Sequence, residues 1–250
     1  MADVSSVMRN VNPSVVINAA AWTAVDAAED NEDAAYEINC LGAGRVASVA
    51  AGIGAKLVHI STDYVFSGES DRPFREDDAP APVGAYGRTK LAGEIAVRLA
   101  HPHGAVVVRT AWLYSQFGSN FARTMARKAL ANQPVRVVAD QHGQPTLATD
   151  LAFHVVDLIN GGVPAGVYHG TNGGDCTWFD FATEVFRQAG ADPSLITPVL
   201  STEYPTRAVR PAYSVLDHGN TKSTNVAPMR PWLEALTNAM PVILAEIEEA

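Results

Sequence analysis

The sequence lacks the features of a membrane protein and of a nucleic-acid-binding protein. No apolar run approaches the roughly 20 residues that cross a bilayer, and the chain opens without a basic, apolar leader. Lysine and arginine form no block, and the net charge is −9. We therefore expect neither nucleic acid nor an anionic membrane as a partner. An anionic small molecule stays compatible, because a pocket needs only a few local cations.

Cysteine is scarce as well. Cys40 and Cys176 lie far apart, in no CxxC pair and no zinc spacing, and the seven histidines form no metal spacing either. We expect two ordinary thiols in a cytoplasmic protein and no metal site.

Short apolar runs alternate with longer helical patterns, which is typical of a parallel sheet with helices on both faces. The expected strands are residues 15–17, 57–60, 106–108, 136–138 and 167–169, and the expected helices are residues 27–51, 86–100, 120–131, 150–159, 178–188 and a segment after Pro231. The order predicts a Rossmann-like, doubly wound lobe in residues 1–143. A smaller α/β substrate lobe is expected in residues 144–250, although some segments of this range could pack as part of the first lobe.

The pattern begins inside a helix, because Val4, Val7, Met8 and Val11 have helical spacing. A dinucleotide-binding lobe normally opens with a strand and a glycine-rich turn. Residues 42–47 fit G-x-G-x-x-A, but the residues before them predict a helix instead of the strand that the fingerprint requires. We interpret this match as a helix-packing segment, not as a phosphate-binding loop.

The strongest chemical signal is Tyr86 followed by Lys90. Four residues apart on a helix, the two side chains share one face. A free tyrosine has a pKa near 10, and a neighbouring ammonium favours the phenolate, which predicts a phenol suited to proton transfer. An amphipathic helix that happens to carry both residues is the alternative.

Three predicted strands end in small, polar or aromatic residues. Residues 18–23 follow the first strand, residues 61–66 the second and residues 109–112 the third. In open α/β sheets, ligands bind beyond the carboxyl ends of the strands. Thr62 is thus expected where a hydroxyl can reach a substrate oxygen.

These segments together resemble the dTDP-4-dehydrorhamnose reductase family, which lies in the nucleotide-sugar branch of the extended short-chain dehydrogenase/reductases. The resemblance runs from Met1 nearly to the C-terminus. The segments that carry it are residues 18–26, 61–68, 86–94, 109–112, 140–146 and 210–214.

The resemblance implies reduction, by NADPH or NADH, of the 4-keto group of a nucleotide-linked deoxysugar. It implies three catalytic residues: Thr62 to orient the carbonyl, Tyr86 to donate a proton, and Lys90 to bind the nicotinamide ribose. Cofactor contacts are implied for Ala20, Ala21, Trp22, Thr23, Ile60, Tyr86 and Lys90, and substrate contacts for Thr62, Asp63, Tyr64, Trp112 and Arg210. It also allows a homodimer.

Other interpretations stay open for several of these residues. Arg210 fits a surface ion pair as well as a diphosphate site, Trp112 fits a core position, and Asp63 fits a helix cap. Asn18 fits a turn cap, and His59 fits a core position with its hydrogen bonds satisfied.

The sequence departs from the family pattern at its start. Relatives have about 40 further residues there, by the usual length of a βαβ unit, and these carry the pyrophosphate loop. An internal methionine taken as the start is the explanation we favour over deliberate truncation or a short relative that has lost reduction. The alternatives to a reductase are a nucleotide-sugar epimerase or dehydratase and a non-catalytic regulatory subunit of the same branch.

Overall fold

The structure, a computed structural model, describes residues 3–248. Its strands are β1 (Val15–Asn18), β2 (Lys56–Thr62), β3 (Ala105–Thr110), β4 (Leu113–Tyr114), β5 (Val135–Val138), β6 (His142–Gly143), β7 (Thr146–Leu147), β8 (Gly166–His169), β9 (Cys176–Thr177) and β10 (Ile196–Val199). Its helices are α1 (Val4–Val11), α2 (Val25–Ala28), α3 (Glu32–Tyr36), a π-helical segment (Glu37–Gly42), α4 (Ala43–Gly52), α5 (Ala85–Ala100), α6 (Phe121–Leu130), α7 (Ala148–Asn160), α8 (Trp178–Gln188), α9 (Gly219–Lys222) and α10 (Trp232–Glu248). In this part of the chain, no helix combines the length and the apolar character that a bilayer crossing needs.

The central sheet has the order β1-β2-β3-β8, and each neighbouring pair is parallel. Its residues are near-continuously apolar because helices cover both faces. Leu57 and Val107 pack with α4 and α5 on one face, whereas Val58 and Val108 pack with α7 on the other. The expected parallel α/β sheet is therefore confirmed.

A second core lies in the later part of the chain. Strands β5 and β10 pair in parallel, and α6, α8 and α10 pack beside them around Phe181, Phe186 and Leu236. The predicted division at residue 144 stays a prediction. In the structure α7 and β8, which follow that residue, pack with the central sheet.

The helix expected over residues 27–51 is wrong as a single element. It is interrupted after Ala28, and the chain resumes as α3, the π segment and α4. The wider π turn places Asn39 against α5, where the backbone carbonyl of Asn39 would lie 2.0 Å from a Cβ at Gly93. Only glycine at position 93 permits this approach, so the π turn and the close contact belong together.

The G-x-G-x-x-A match at residues 42–47 lies in helix, from the end of the π segment into α4. Gly44 faces Ala96 of α5, where an added Cβ would lie 3.3 Å from the Ala96 methyl. The interpretation as a packing segment is confirmed.

Candidate active site

The carboxyl ends of β1, β2 and β3 meet at one edge of the sheet. The parallel register sets Asn18 beside His59 and Thr62 beside Thr110. A cleft of about 680 Å³ opens over this edge. Of the residues predicted to form the site, it is lined by Ala21, Thr23, Ile60, Thr62, Tyr64, Tyr86, Lys90 and Trp112.

Helix α5 presents Tyr86 and Lys90 to this cleft. The helix can lie close to the end of β2 because of Gly87, where a Cβ would lie 2.2 Å from the carbonyl oxygen of Tyr64. Lys90 is buried, and its Nζ donates a hydrogen bond to the carbonyl of Ile60 at 2.6 Å. Burial lowers the pKa of Lys90 to about 8, because a charged ammonium loses its hydration there. At neutral pH the lysine is still mostly protonated.

Tyr86 differs from the expectation drawn from Lys90. Its pKa is raised to about 12, since burial penalises the phenolate more than a hydrogen bond with Thr62 favours it. Tyr64 stacks edge-on against Tyr86, with 5.6 Å between the ring centroids. Without bound ligands the phenol is therefore a neutral group that carries its proton at neutral pH.

Thr62 and Asp63 form the turn that follows β2. The Thr62 hydroxyl accepts a hydrogen bond from the Tyr64 amide at 3.2 Å and donates to Oδ1 of Asp63 at 2.9 Å. Asp63 is 2% exposed, and burial raises its pKa to about 6. Thr62, not Asp63, caps the short 3-10 turn, so the interpretation of Asp63 as a helix cap is wrong. The carboxylate lies beneath the cleft and does not line it.

The loop between β1 and α2 is fixed by two asparagine side chains, Asn18 and Asn39. Oδ1 of Asn18 accepts from the Ala20 amide at 3.2 Å, while the Asn18 amide nitrogen lies 3.1 Å from Nδ1 of His59. Oδ1 of Asn39 accepts from the Trp22 amide at 2.8 Å. Within this loop Ala21 and Thr23 line the cleft, whereas Ala20 and Trp22 do not.

Arg210 lies apart from Tyr86 and Lys90, in a second cleft of about 720 Å³. Among residues 3–248, three cations line this cleft, namely Lys128, Arg136 and Arg210. Arg210 is bound to Asp26 by two hydrogen bonds, at 3.0 and 2.7 Å. This pair lowers the pKa of Asp26 to about 2. The structure thus shows the ion pair and also places the guanidinium in a cleft able to take an anion.

Trp112 and Trp178 join the two clefts. Their rings stack at 3.6 Å between centroids, Trp178 lines both clefts, and Trp112 lines the smaller one. Trp112 is half-buried and has a positive φ of 45°, a conformation that is uncommon for a bulky residue. The ring therefore stands at the cleft and also packs against the second core.

Sequence reasoning did not single out Asn39 or Trp178, and it did not predict the buried ion pair between Glu94 and Arg109. The Asn39 amide joins the Trp22 carbonyl to the Thr89 hydroxyl, at 3.3 and 3.0 Å. No local motif marks such a residue, because its partners lie 17 and 50 positions away. Trp178 offered one signal, a large aromatic residue at the start of a predicted helix.

Comparison with known proteins agrees with this geometry. The profile of the family described as RmlD substrate binding domain matches residues 1–244. The chain belongs to this family. The resemblance found in the sequence is thereby confirmed.

Individual members of the family are also similar to this chain. A dTDP-4-dehydrorhamnose reductase of Streptomyces griseus is 45% identical, over 97% of this chain and 81% of that protein. A crystal structure of a dTDP-4-dehydrorhamnose reductase from Clostridium acetobutylicum has a TM-score of 0.91 and 42% identity, and covers 96% of this chain and 84% of that one. The Bacillus anthracis reductase, solved in complex with NADP, has a TM-score of 0.91 and 39% identity, with 95% and 84% covered.

Proposed function

We propose that the protein reduces the 4-keto group of a dTDP-linked deoxysugar, with NADPH as the reductant and dTDP-4-dehydro-L-rhamnose as the substrate. The observation that carries this proposal is the meeting of Thr62, Tyr86 and Lys90 in one cleft at the carboxyl edge of the sheet. The printed activities of the family members and the NADP bound to the Bacillus anthracis relative support it.

Tyr86 is the proposed proton donor. A phenol with its pKa raised to about 12 holds its proton at neutral pH, which is the state a reductase needs before the carbonyl is reduced. When bound, the nicotinamide supplies the hydride that the keto carbon accepts. The proton from Tyr86 goes to the oxygen of that carbonyl, and it balances the charge that develops there.

Lys90 and Thr62 are proposed to prepare that transfer. One N–H of Lys90 is used by the Ile60 carbonyl, and the remaining two donors are available for ribose hydroxyls. The positive charge of Lys90 also favours the tyrosinate left after proton transfer. Thr62, which lines the same cleft as Tyr86, orients the carbonyl oxygen toward the phenol. This cleft fits the nicotinamide end of the cofactor, because it is apolar on the α7 side and polar at Thr62 and Lys90.

The larger cleft is proposed to take the nucleotide diphosphate. Its three cations suit phosphate oxygens, and Arg210 can form a bidentate contact. Trp178 and Phe121 lie in the same cleft and offer aromatic faces to a base. Since Trp112 stands between the clefts, the sugar would lie beside it, within reach of Tyr64 and Tyr86.

The test is turnover of purified protein with NADPH and dTDP-4-dehydro-6-deoxy sugars, read as the loss of nicotinamide absorbance at 340 nm. We expect NADPH oxidation only when a 4-keto sugar nucleotide is present, and none with the corresponding 4-hydroxy sugar. The 250-residue chain and an N-terminally extended version are assayed side by side, each after a nicotinamide fluorescence titration. A version that binds NADPH and remains inactive toward every 4-keto sugar nucleotide would contradict the proposal.

A further inference from the structure

Beneath the cleft, Glu94 of α5 and Arg109 of β3 form a buried ion pair. Nε and Nη2 of Arg109 donate to the Glu94 carboxylate at 3.0 and 2.8 Å, and the two side chains are 2–3% exposed. The Arg109 guanidinium also lies over the Phe66 ring, 4.9 Å from its centroid. This ion pair is thus enclosed by protein, and water screens it little.

The same carboxylate reaches the end of β2. The Ser61 hydroxyl donates to Oε1 of Glu94 at 2.5 Å. Ser61 lies between Ile60, whose carbonyl accepts from Lys90, and Thr62, whose hydroxyl contacts Asp63. Successive residues at this strand end are therefore tied to α5 by Lys90 and by Glu94.

Glu94 also stands one helical turn after Lys90, on the same face of α5. The charged or titratable groups that face Lys90 are Tyr86 and Glu94 on its own helix and His59 on β2. Because His59 is neutral there, its pKa being lowered to about 3, Glu94 is the negative charge in this group. Its carboxylate raises the pKa of Lys90 and so opposes the effect of burial.

A buried ion pair adds little stability compared with apolar residues of the same shape. The pair is therefore weak evidence for a stabilising role, and the contact of Glu94 with Ser61 points to another role. We propose that Glu94 is a positioning residue, which holds the Thr62 strand end through Ser61 and sustains the charge of Lys90, while Arg109 fixes its carboxylate. The catalytic meaning of this role rests on the proposed reductase function, but the effect on Lys90 does not.

The decisive experiment is a pH titration of lysine side chains by NMR, in protein labelled with ¹³C and ¹⁵N at lysine. It needs neither cofactor nor substrate, and the sequence has only four lysines to assign, at positions 56, 90, 128 and 222. In Glu94→Gln, we expect the pKa of Lys90 to fall by about half a unit or more. An unchanged Lys90 titration in a folded variant overturns the proposal.

Two further variants keep the test decisive if Glu94→Gln does not fold. The double variant Glu94→Gln/Arg109→Met leaves no unpaired buried charge. It is still expected to lower the pKa of Lys90, by less than Glu94→Gln alone, because the carboxylate that raises this pKa is lost. The control Asp150→Asn breaks another bidentate pair, with Arg230 at 2.8 Å. It should lower stability and leave the Lys90 titration unchanged.

Ser61→Ala separates the positioning role from the electrostatic one. It removes the 2.5 Å hydrogen bond and no charge. We expect kcat to fall about tenfold, with KM and the NADPH dissociation constant unchanged, since only the Thr62 strand end is loosened. An unchanged kcat contradicts the positioning role. If wild-type protein has no reductase activity, the proposed function fails, while the Lys90 titration still decides the charge effect.

Discussion

Asp26 and Arg210, which lie 184 positions apart in the sequence, form a bidentate ion pair at the mouth of the larger cleft. The Ala208 amide donates to the same carboxylate at 2.9 Å, so the segment before Arg210 is tied to α2. A diphosphate that binds Arg210 has to compete with Asp26 for the same N–H groups. Both carboxylate and guanidinium are charged above pH 2, because the pKa of Asp26 is lowered to about 2.

This competition predicts opposite effects for the two partners. Arg210→Gln should raise KM for the nucleotide sugar about tenfold or more, since a charge-assisted hydrogen bond is worth about 1.5–3 kcal/mol. Asp26→Asn should lower KM, because it leaves Arg210 free for phosphate. Steady-state kinetics at fixed NADPH measures both.

The neighbouring pair of Arg207 and Asp30 supplies the matched control. Arg207 is exposed and does not line either cleft, so Arg207→Gln should leave KM unchanged. If Arg210→Gln and Asp26→Asn both raise KM to a similar extent, the pair acts as a structural tie and the diphosphate assignment is wrong.

Tyr86→Phe should lower kcat about 10²–10⁴-fold, the usual contribution of a positioned proton donor. The ring and its contact with Tyr64 stay in place, so the binding of NADPH should change little. Stopped-flow measurement of nicotinamide oxidation, together with a fluorescence titration, separates the two quantities. Tyr168→Phe is the control, because it removes a buried hydroxyl that donates to the Pro164 carbonyl at 3.0 Å, away from the cleft. Equal losses in both variants would falsify the assignment.

The sheet and most helices could be predicted from the sequence because burial leaves a local signature. The strand at Leu57 to Ile60 is an apolar run, and α8 matches the predicted segment at both ends. The parallel strand order alone predicts that the three strand ends lie at one edge of the sheet. The π-helical segment could not be foreseen, since it carries a close contact between Asn39 and Gly93, which are 54 positions apart.

The site was harder to predict where its pKa values and ion pairs depend on residues that lie far apart in the sequence. The Tyr86–Lys90 spacing correctly predicts a shared helix face, but not the direction of the tyrosine pKa, which depends on burial by residues from other segments. Likewise, Arg210 is visible as a cation in the sequence, but its partner Asp26 is not. His59 is in the core as expected, yet its Nε2 has no hydrogen-bond partner among the described residues, so the expectation of full satisfaction is wrong.

Asp63→Asn is predicted to stabilise the protein at pH 7. Burial raises the pKa of this carboxyl to about 6, so keeping it ionised at neutral pH costs free energy. Removing the charge should raise the free energy of unfolding by about 1–3 kcal/mol, given 1.36 kcal/mol for each pKa unit. Urea denaturation at pH 7 measures this effect. Asp217→Asn is the control of opposite sign, because the pKa of Asp217 is lowered by Lys222, and neutralising it should not stabilise.

Buried histidines should make the protein unstable in acid. Burial lowers the pKa of His59 and His169 to about 3 and that of His218 to about 4, against about 6.5 in an unfolded chain. Below pH 6.5 these histidines therefore bind protons in the unfolded state, whereas in the folded state they stay neutral. Each histidine then removes about 1.4 kcal/mol of stability per pH unit, until its folded pKa is reached. Asp63 opposes this between about pH 6 and 4, because its raised pKa lets the folded state take up one proton there.

His154, whose pKa burial also lowers, adds to this loss, and Glu76, whose pKa burial raises, opposes it as Asp63 does. The histidines outweigh the carboxyls, so the free energy of unfolding should fall by a few kcal/mol between pH 7 and pH 5. Urea midpoints across this range measure the slope. His59→Gln should make the slope shallower, because glutamine carries no charge at any of these pH values, whereas the exposed His103→Gln should not. A slope that is the same in His59→Gln as in the wild type would show that this histidine does not contribute to the acid sensitivity.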